Sequence, residues 1–132
     1  MGSTTRETFL GSSKDVNYGG DGRYGAGEAD FTLPADQPDD SFALDGTWDV
    51  ATQYATPVGK GRIRLEFTAA EVRTVVAGEG QIVVRLDDGE ERTIDVSGTP
   101  RSYALVDRDE NAAGILDVTV SPGLQVYSFT FG

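Results

Sequence analysis

Beyond residue 40, apolar and polar side chains alternate with a period of two, which predicts β-strands rather than helices. The cleanest case is Gly61 to Thr68, where Ile63, Leu65 and Phe67 point one way and Arg62, Arg64 and Glu66 the other. Strict alternation of this kind means that one sheet face is wet. Ahead of it, Ser41 to Asp45 and Thr47 to Ala55 form a first pair broken at Asp45-Gly46, with Phe42, Leu44, Trp48 and Val50 on the core side. Behind it come Glu71 to Ala77 and Gln81 to Leu86, separated by Gly78-Glu79-Gly80. Thr68-Ala69-Ala70-Glu71 is the nearest approach to a helix and amounts to a single turn.

Two registers are open for the next hairpin. A two-residue turn at Asp88-Gly89 sets Val83 opposite Ile94. A three-residue loop, Asp87-Asp88-Gly89 with Gly89 left-handed, sets Ile82 opposite Ile94 and Arg85 opposite Glu91. The second is preferred, because a one-residue slip sends the apolar set to the wrong face. Ser102 to Val106 and Ile115 to Ser121 then lead past Pro122-Gly123 into a closing strand, Leu124 to Phe131. A strand this aromatic is an aggregation hazard unless paired inside a sheet, and it is expected to carry Tyr127, Phe129 and Phe131 on one face. About eight or nine strands, roughly eight to twelve residues apart, predict an all-β fold, a jelly-roll β-sandwich of two antiparallel sheets.

The first 30 residues are patterned differently. Gly19, Gly20, Gly22, Gly25 and Gly27, with Ser12, Ser13, Asn17 and Asp21 among them, describe a linker or partly ordered arm over residues 1–30, ahead of a sandwich domain over 31–132. Tyr18 and Tyr24 interrupt the arm; it either docks on the body through them or serves as a ligand-contacting loop. Phe31-Thr32-Leu33 is a short edge strand ended by Pro34, and Ala35 to Asp40 a polar hinge.

Composition narrows the function. The 132 residues fit one domain large enough to bury a core without staples. With no cysteine there is no disulfide, zinc-thiolate site or redox dithiol, and with no histidine the commonest general base is missing. A net charge of −11 disfavours nucleic acid as a partner. No apolar run is long enough to span a bilayer and there is no signal-peptide core; Met1-Gly2-Ser3 reads as a remnant from expression of an excised fragment.

Three blocks carry a family resemblance. Phe42-Ala43-Leu44-Asp45-Gly46-Thr47-Trp48-Asp49-Val50, then Ile63-Arg64-Leu65-Glu66-Phe67 with Ala69 and Val72, then Val126 to Gly132 resemble the C-terminal domain of the DipZ family. Glu7-Thr8-Phe9-Leu10-Gly11 is similar to the family's junction between a thioredoxin-like domain and a β-sandwich. The resemblance implies an extracytoplasmic accessory module, similar to carbohydrate-binding modules, joined in cis to a thioredoxin-like redox domain.

Sugar recognition by a β-sandwich needs an aromatic surface for the apolar face of a pyranose, flanked by planar polar groups. Trp48 shares strand parity with Phe42, Leu44 and Val50 and is assigned to the core. Tyr54, near Thr56-Pro57 at a strand end, is the better ligand contact; Tyr103 and Tyr127 belong to the sandwich or its margin. Arg62, Arg64, Arg73 and Arg85 project from polar faces, where they either pair with Glu66, Glu71 and Glu91 or bind an acidic glycan or partner. Tyr54, Arg62 and Arg64 are therefore the candidate ligand-binding residues.

Other chemistries fit poorly. Asp107-Arg108-Asp109-Glu110-Asn111 begins like an EF-hand loop, but Ala112 stands where glycine is needed and Val118 where the bidentate glutamate is needed. A structural calcium held by Asp107 and Asp109 with Asp39 or Asp40 is the remaining metal alternative. No nucleophile elbow or phosphate-binding loop occurs, so no enzyme activity and no cofactor are expected. Two functions remain: a non-catalytic module recognising a glycan or cell-envelope polymer, or a structural module packing on the redox domain or forming a homo-oligomer.

Overall fold

The alternation of Gly61 to Thr68 opens a strand far longer than the pattern suggests. In the structure, a computed structural model describing residues 4–12, 18–20 and 24–132, this strand is β5, Gly61–Ala77, of 17 residues. Its inward side chains are Ile63, Leu65, Phe67 and Ala69, then Val72 and Val76. Parity changes where the register with its neighbour shifts between Ala69 and Glu71. The bulge inserts a residue, bends the strand and keeps both halves facing the core. The helical turn expected at Thr68 to Glu71 is thus extended chain, because Ala69 and Ala70 stay within the strand as it bends.

The other elements are β1 Thr8–Phe9, β2 Gly27–Phe31, β3 Ser41–Val50, β4 Ala55–Pro57, β6 Gly80–Leu86, β7 Glu91–Val96, β8 Arg101–Val120 and β9 Gln125–Phe131. All pairings between them are antiparallel. β3, β5 and β8 each serve two layers. One layer holds β3 from Ser41 to Asp45, the first half of β5, the second half of β8, β6 and β7. The other holds the second half of β5, the first half of β8, β9, β1, β4, the end of β3 and β2. β3 bends at Gly46, whose φ of 102° is a conformation that residues with a Cβ rarely adopt. Hydrogen bonding is continuous through one nine-stranded sheet, since the bending strands carry it from layer to layer.

Between the layers lie Phe42, Leu44, Trp48, Ile63, Leu65, Leu116, Leu124 and Phe129, all at most 1% exposed. Each such side chain contributes about 1.5 to 3 kcal/mol relative to leaving it in water.

The early residues take part in this packing. Thr8 and Phe9 pair with Phe129 and Ser128, Leu10 is fully buried, and Tyr18 and Tyr24, 4.8 Å apart, pack edge-on or tilted against Phe31 and Phe42 at ring separations of 5.4 to 6.3 Å. β1 and most of β2 lie ahead of the boundary drawn at residue 31. Ser13, Asn17, Asp21, Gly22 and Met1 to Ser3 fall outside the described residues.

The hairpin register sets Ile82 opposite Ile94 and Arg85 opposite Glu91. The left-handed residues of its turn are Asp87 and Asp88, with φ of 50° and 59°, not Gly89. In β9, the register shifts opposite Val75 and Val76 and leaves Tyr127 unpaired there, so Val126 and Phe129 are both buried and Tyr127 leaves the face of Phe129. Asp107 to Asn111 lie within the span of the 20-residue β8, where Asp107 pairs with Glu71 but Arg108 to Asn111 have no partner on β5 and bulge out opposite Ala70, and no cluster of three acidic side chains suited to a metal forms among the described residues. Among these residues no helix is long and apolar enough to cross a membrane.

Candidate functional site

Alternation along β5 sets Arg62 and Arg64 on the outer face of the first layer. Register aligns Arg64 with Asp117 of β8, Asp117 with Arg85 of β6, and Arg85 with Glu91 of β7, a cross-strand row of alternating charge. Arg62 Nη2 donates to Asp117 Oδ1 at 3.1 Å, and Arg62 Nη1 lies 4.0 Å from Asp45 Oδ2. Arg85 pairs with Glu91 at 3.2 Å. Arg73 belongs to the other layer, where it bonds Glu71 at 3.3 Å and Ser102 Oγ at 2.8 Å. The ion-pair reading of the arginines therefore describes three of the four, with Asp117 taking the place foreseen for Glu66. Among the described residues the Arg64 guanidinium has no carboxylate partner.

Arg62, Arg64, Asp87, Asp88, Ile115 and Asp117 line an open pocket of about 300 Å³. Ile115 is 42% exposed and supplies its apolar patch. The pocket wall is pinned, because Ile115 N donates to Asp87 Oδ1 at 2.7 Å and Asp87 N donates to Ile115 O at 2.8 Å. Tyr54 does not line it. Tyr54 closes the turn between β3 and β4, its carbonyl accepting from Ala51 N at 2.8 Å. Its half-buried ring lies 5.2 Å from that of Tyr127, tilted by 54°. The structure thus unites Arg62 and Arg64 and places Tyr54 in a separate aromatic pair.

Trp48 is fully buried, its Nε1 donating to Asp45 O at 3.0 Å, as strand parity requires. Tyr103 is half-buried against the core.

A second concavity escaped the sequence reading. Between β7 and the first half of β8 lies a cleft of about 490 Å³, floored by Val84, Leu105 and Leu116 and rimmed by Glu90, Arg92 and Arg108. Arg92 Nη2 donates to Ala104 O at 3.2 Å and Leu105 O at 2.6 Å, crossing from one layer to the other. Arg108 donates from Nε and Nη2 to Ala69 O, at 3.2 and 3.0 Å, and also to Ala112 O, and it lies 5.5 Å over the Phe67 ring. A signal was present in the sequence: Arg92 shares strand parity with Ile94 and Val96, an arginine on the apolar side of its strand.

With this geometry in hand, the chain can be compared with known proteins. A model of the family described as "Thioredoxin like C-terminal domain" matches residues 5–132. Protein DipZ of Mycobacterium bovis and Protein DipZ of Mycobacterium tuberculosis are each 43% identical over 129 residues, 97% of this chain. The chain spans 18% of the length of these relatives. Among solved structures, a family two carbohydrate esterase from Clostridium thermocellum in complex with cellohexaose matches with a TM-score of 0.62 at 18% identity, over 70% of this chain and 31% of the esterase. A family two carbohydrate esterase from Cellvibrio japonicus matches with a TM-score of 0.64 at 11% identity, over 79% of this chain and 33% of the esterase. At such identities the likeness is one of fold.

Proposed function

The chain belongs to the family of thioredoxin-like C-terminal domains, and from that premise we propose that it is a non-catalytic accessory module recognising a carbohydrate or cell-envelope glycan. In the parent protein it holds a thioredoxin-like redox domain near its targets on the extracytoplasmic side of the membrane. Having no cysteine, the chain contributes no dithiol of its own.

The observation that carries this reading is Arg64. Its guanidinium has no carboxylate partner among the described residues, yet it sits in an open pocket beside a tied arginine, three aspartates and the exposed Ile115. Planar donors and carboxylate acceptors around a small apolar surface match the vicinal hydroxyls and C–H face of a pyranose. Tyr54, half-buried beside Tyr127, offers a second aromatic contact elsewhere on the module. The fold shared with the two esterases supports the same reading, one of them having been solved with cellohexaose.

A glycan array followed by titration, run beside sedimentation, tests the proposal. Saturable binding by a monomer, weakened in Arg64→Ala or Tyr54→Ala, supports it. Absence of binding together with concentration-dependent dimerisation replaces it with a structural, self-associating role.

A further inference from the structure

We infer that the cleft between β7 and the first half of β8 is a second saccharide subsite, so that the module grips an oligosaccharide lying across the β6–β7 turn rather than a single sugar; this rests on the glycan reading proposed above.

Position is the first argument. The turn after Leu86 separates the two concavities: Asp87 and Asp88 line the Arg64 pocket, while Leu86 and Glu90 line the cleft. Asp88 and Glu90 are two residues apart, at most about 7 Å along the chain, a step that a short run of sugar rings covers. The turn is held to β8 through Asp87 and Ile115, so the spacing of the two concavities is built into the fold.

Chemistry is the second. Arg92 and Arg108 have no carboxylate partner among the described residues, although the chain carries a net charge of −11. Backbone carbonyls hold both in place, so ordering them costs a ligand little. Arg92 Nε and Nη1 and Arg108 Nη1 remain free to donate among the described residues. Glu90 and Asp107 line the same cleft as acceptors, while Glu91 is taken by Arg85. Two cations facing two anions balance, which suits a neutral polyhydroxylated ligand better than a charged one. The aliphatic floor offers a surface for ring C–H groups, and at about 490 Å³ the cleft is roomier than the Arg64 pocket. An added peptide strand is disfavoured, because Arg92 already occupies the Ala104 and Leu105 carbonyls on that edge of β8.

The test is an amide-resolved NMR titration with glucose, cellobiose, cellohexaose, N-acetylglucosamine and its hexamer. A hexamer is expected to bind about fivefold or more tightly than its monosaccharide and to shift amides near residues 84–92 and 104–108 as well as near Arg64. Arg92→Ala, and Glu90→Ala at an exposed side chain that leaves the fold untouched, are expected to abolish that gain. If both variants bind a hexamer like the parent while Arg64→Ala weakens it, the subsite is overturned and the glycan reading stands. If none of these sugars shifts any amide, both fall.

Discussion

Asp117 stands directly opposite Arg64 in the β5–β8 register, yet its carboxylate bonds Arg62, two residues along the strand, at 3.1 Å. Diagonal pairing satisfies Arg62 twice over, with Asp45 4.0 Å away, and leaves Arg64 facing the open pocket.

That pairing predicts a modest stability effect. The side chains of Arg62 and Asp117 are 42% and 25% exposed, so water and salt screen their attraction. Arg62→Ala is expected to lower unfolding stability by no more than about 1 kcal/mol, and the difference is expected to shrink in about 1 M salt. Urea denaturation at two salt concentrations checks this; a loss several times larger would mean that Arg62 holds the layer together rather than decorating it.

Trp48 is the chain's one tryptophan and is fully buried. Its emission is expected to be blue-shifted and poorly quenched by acrylamide until the protein unfolds. Trp48→Ala is expected to cost about 3 to 5 kcal/mol, through the cavity it leaves and the lost bond to the Asp45 carbonyl. A red-shifted, freely quenched emission in the native protein would return Trp48 to the surface as a sugar-stacking candidate.

The strands were legible wherever one residue in two is apolar, as in Ile63, Leu65 and Phe67, and the hairpin register followed from the mismatch a slip would create at Ile94. What could not be read is how far a strand continues through a bend. The parity change between Ala69 and Val72 looks like a break in sequence, yet β5 passes through it because its pairing with β8 resumes at Glu71 and does not depend on side chains, while on β8 the polar run Arg108 to Asn111 does leave the register and bulges out opposite Ala70. The candidate site was half legible: alternation set Arg62 and Arg64 side by side, while the distance to Tyr54 depended on which layer the β3–β4 turn joins.

Leu10 extends that lesson to the glycine-rich start of the chain. Composition assigned it to a linker, but it is fully buried and its N donates to Tyr127 O at 3.0 Å, while Thr5 Oγ1 accepts from Thr68 N at 2.8 Å. Isolated glycines nearby masked one anchoring side chain in a segment with no period. Leu10→Ala is expected to destabilise by about 2 to 5 kcal/mol, as in any well-packed core. A linker residue would tolerate the change, so an unaltered melting temperature would detach this segment from the sandwich.

Gly61 gives a prediction whose sign runs against propensity. Glycine inside a strand ordinarily weakens it, and alanine would gain roughly 0.5 to 1 kcal/mol from the reduced freedom of the unfolded chain. A Cβ at Gly61, however, would lie 2.6 Å from Trp48 Cζ2 and 2.7 Å from Pro57 Cβ. The fully buried Trp48 ring has no room to retreat, so overpacking is the larger effect, typically about 1 to 3 kcal/mol. Gly61→Ala is therefore expected to destabilise by about 1 to 2 kcal/mol net and to perturb the tryptophan emission. Gly59→Ala, where a Cβ meets nothing within 4 Å, serves as the control expected to be neutral or slightly stabilising. Equal behaviour of the two variants in parallel denaturation curves would show that the indole and the start of β5 are not in contact.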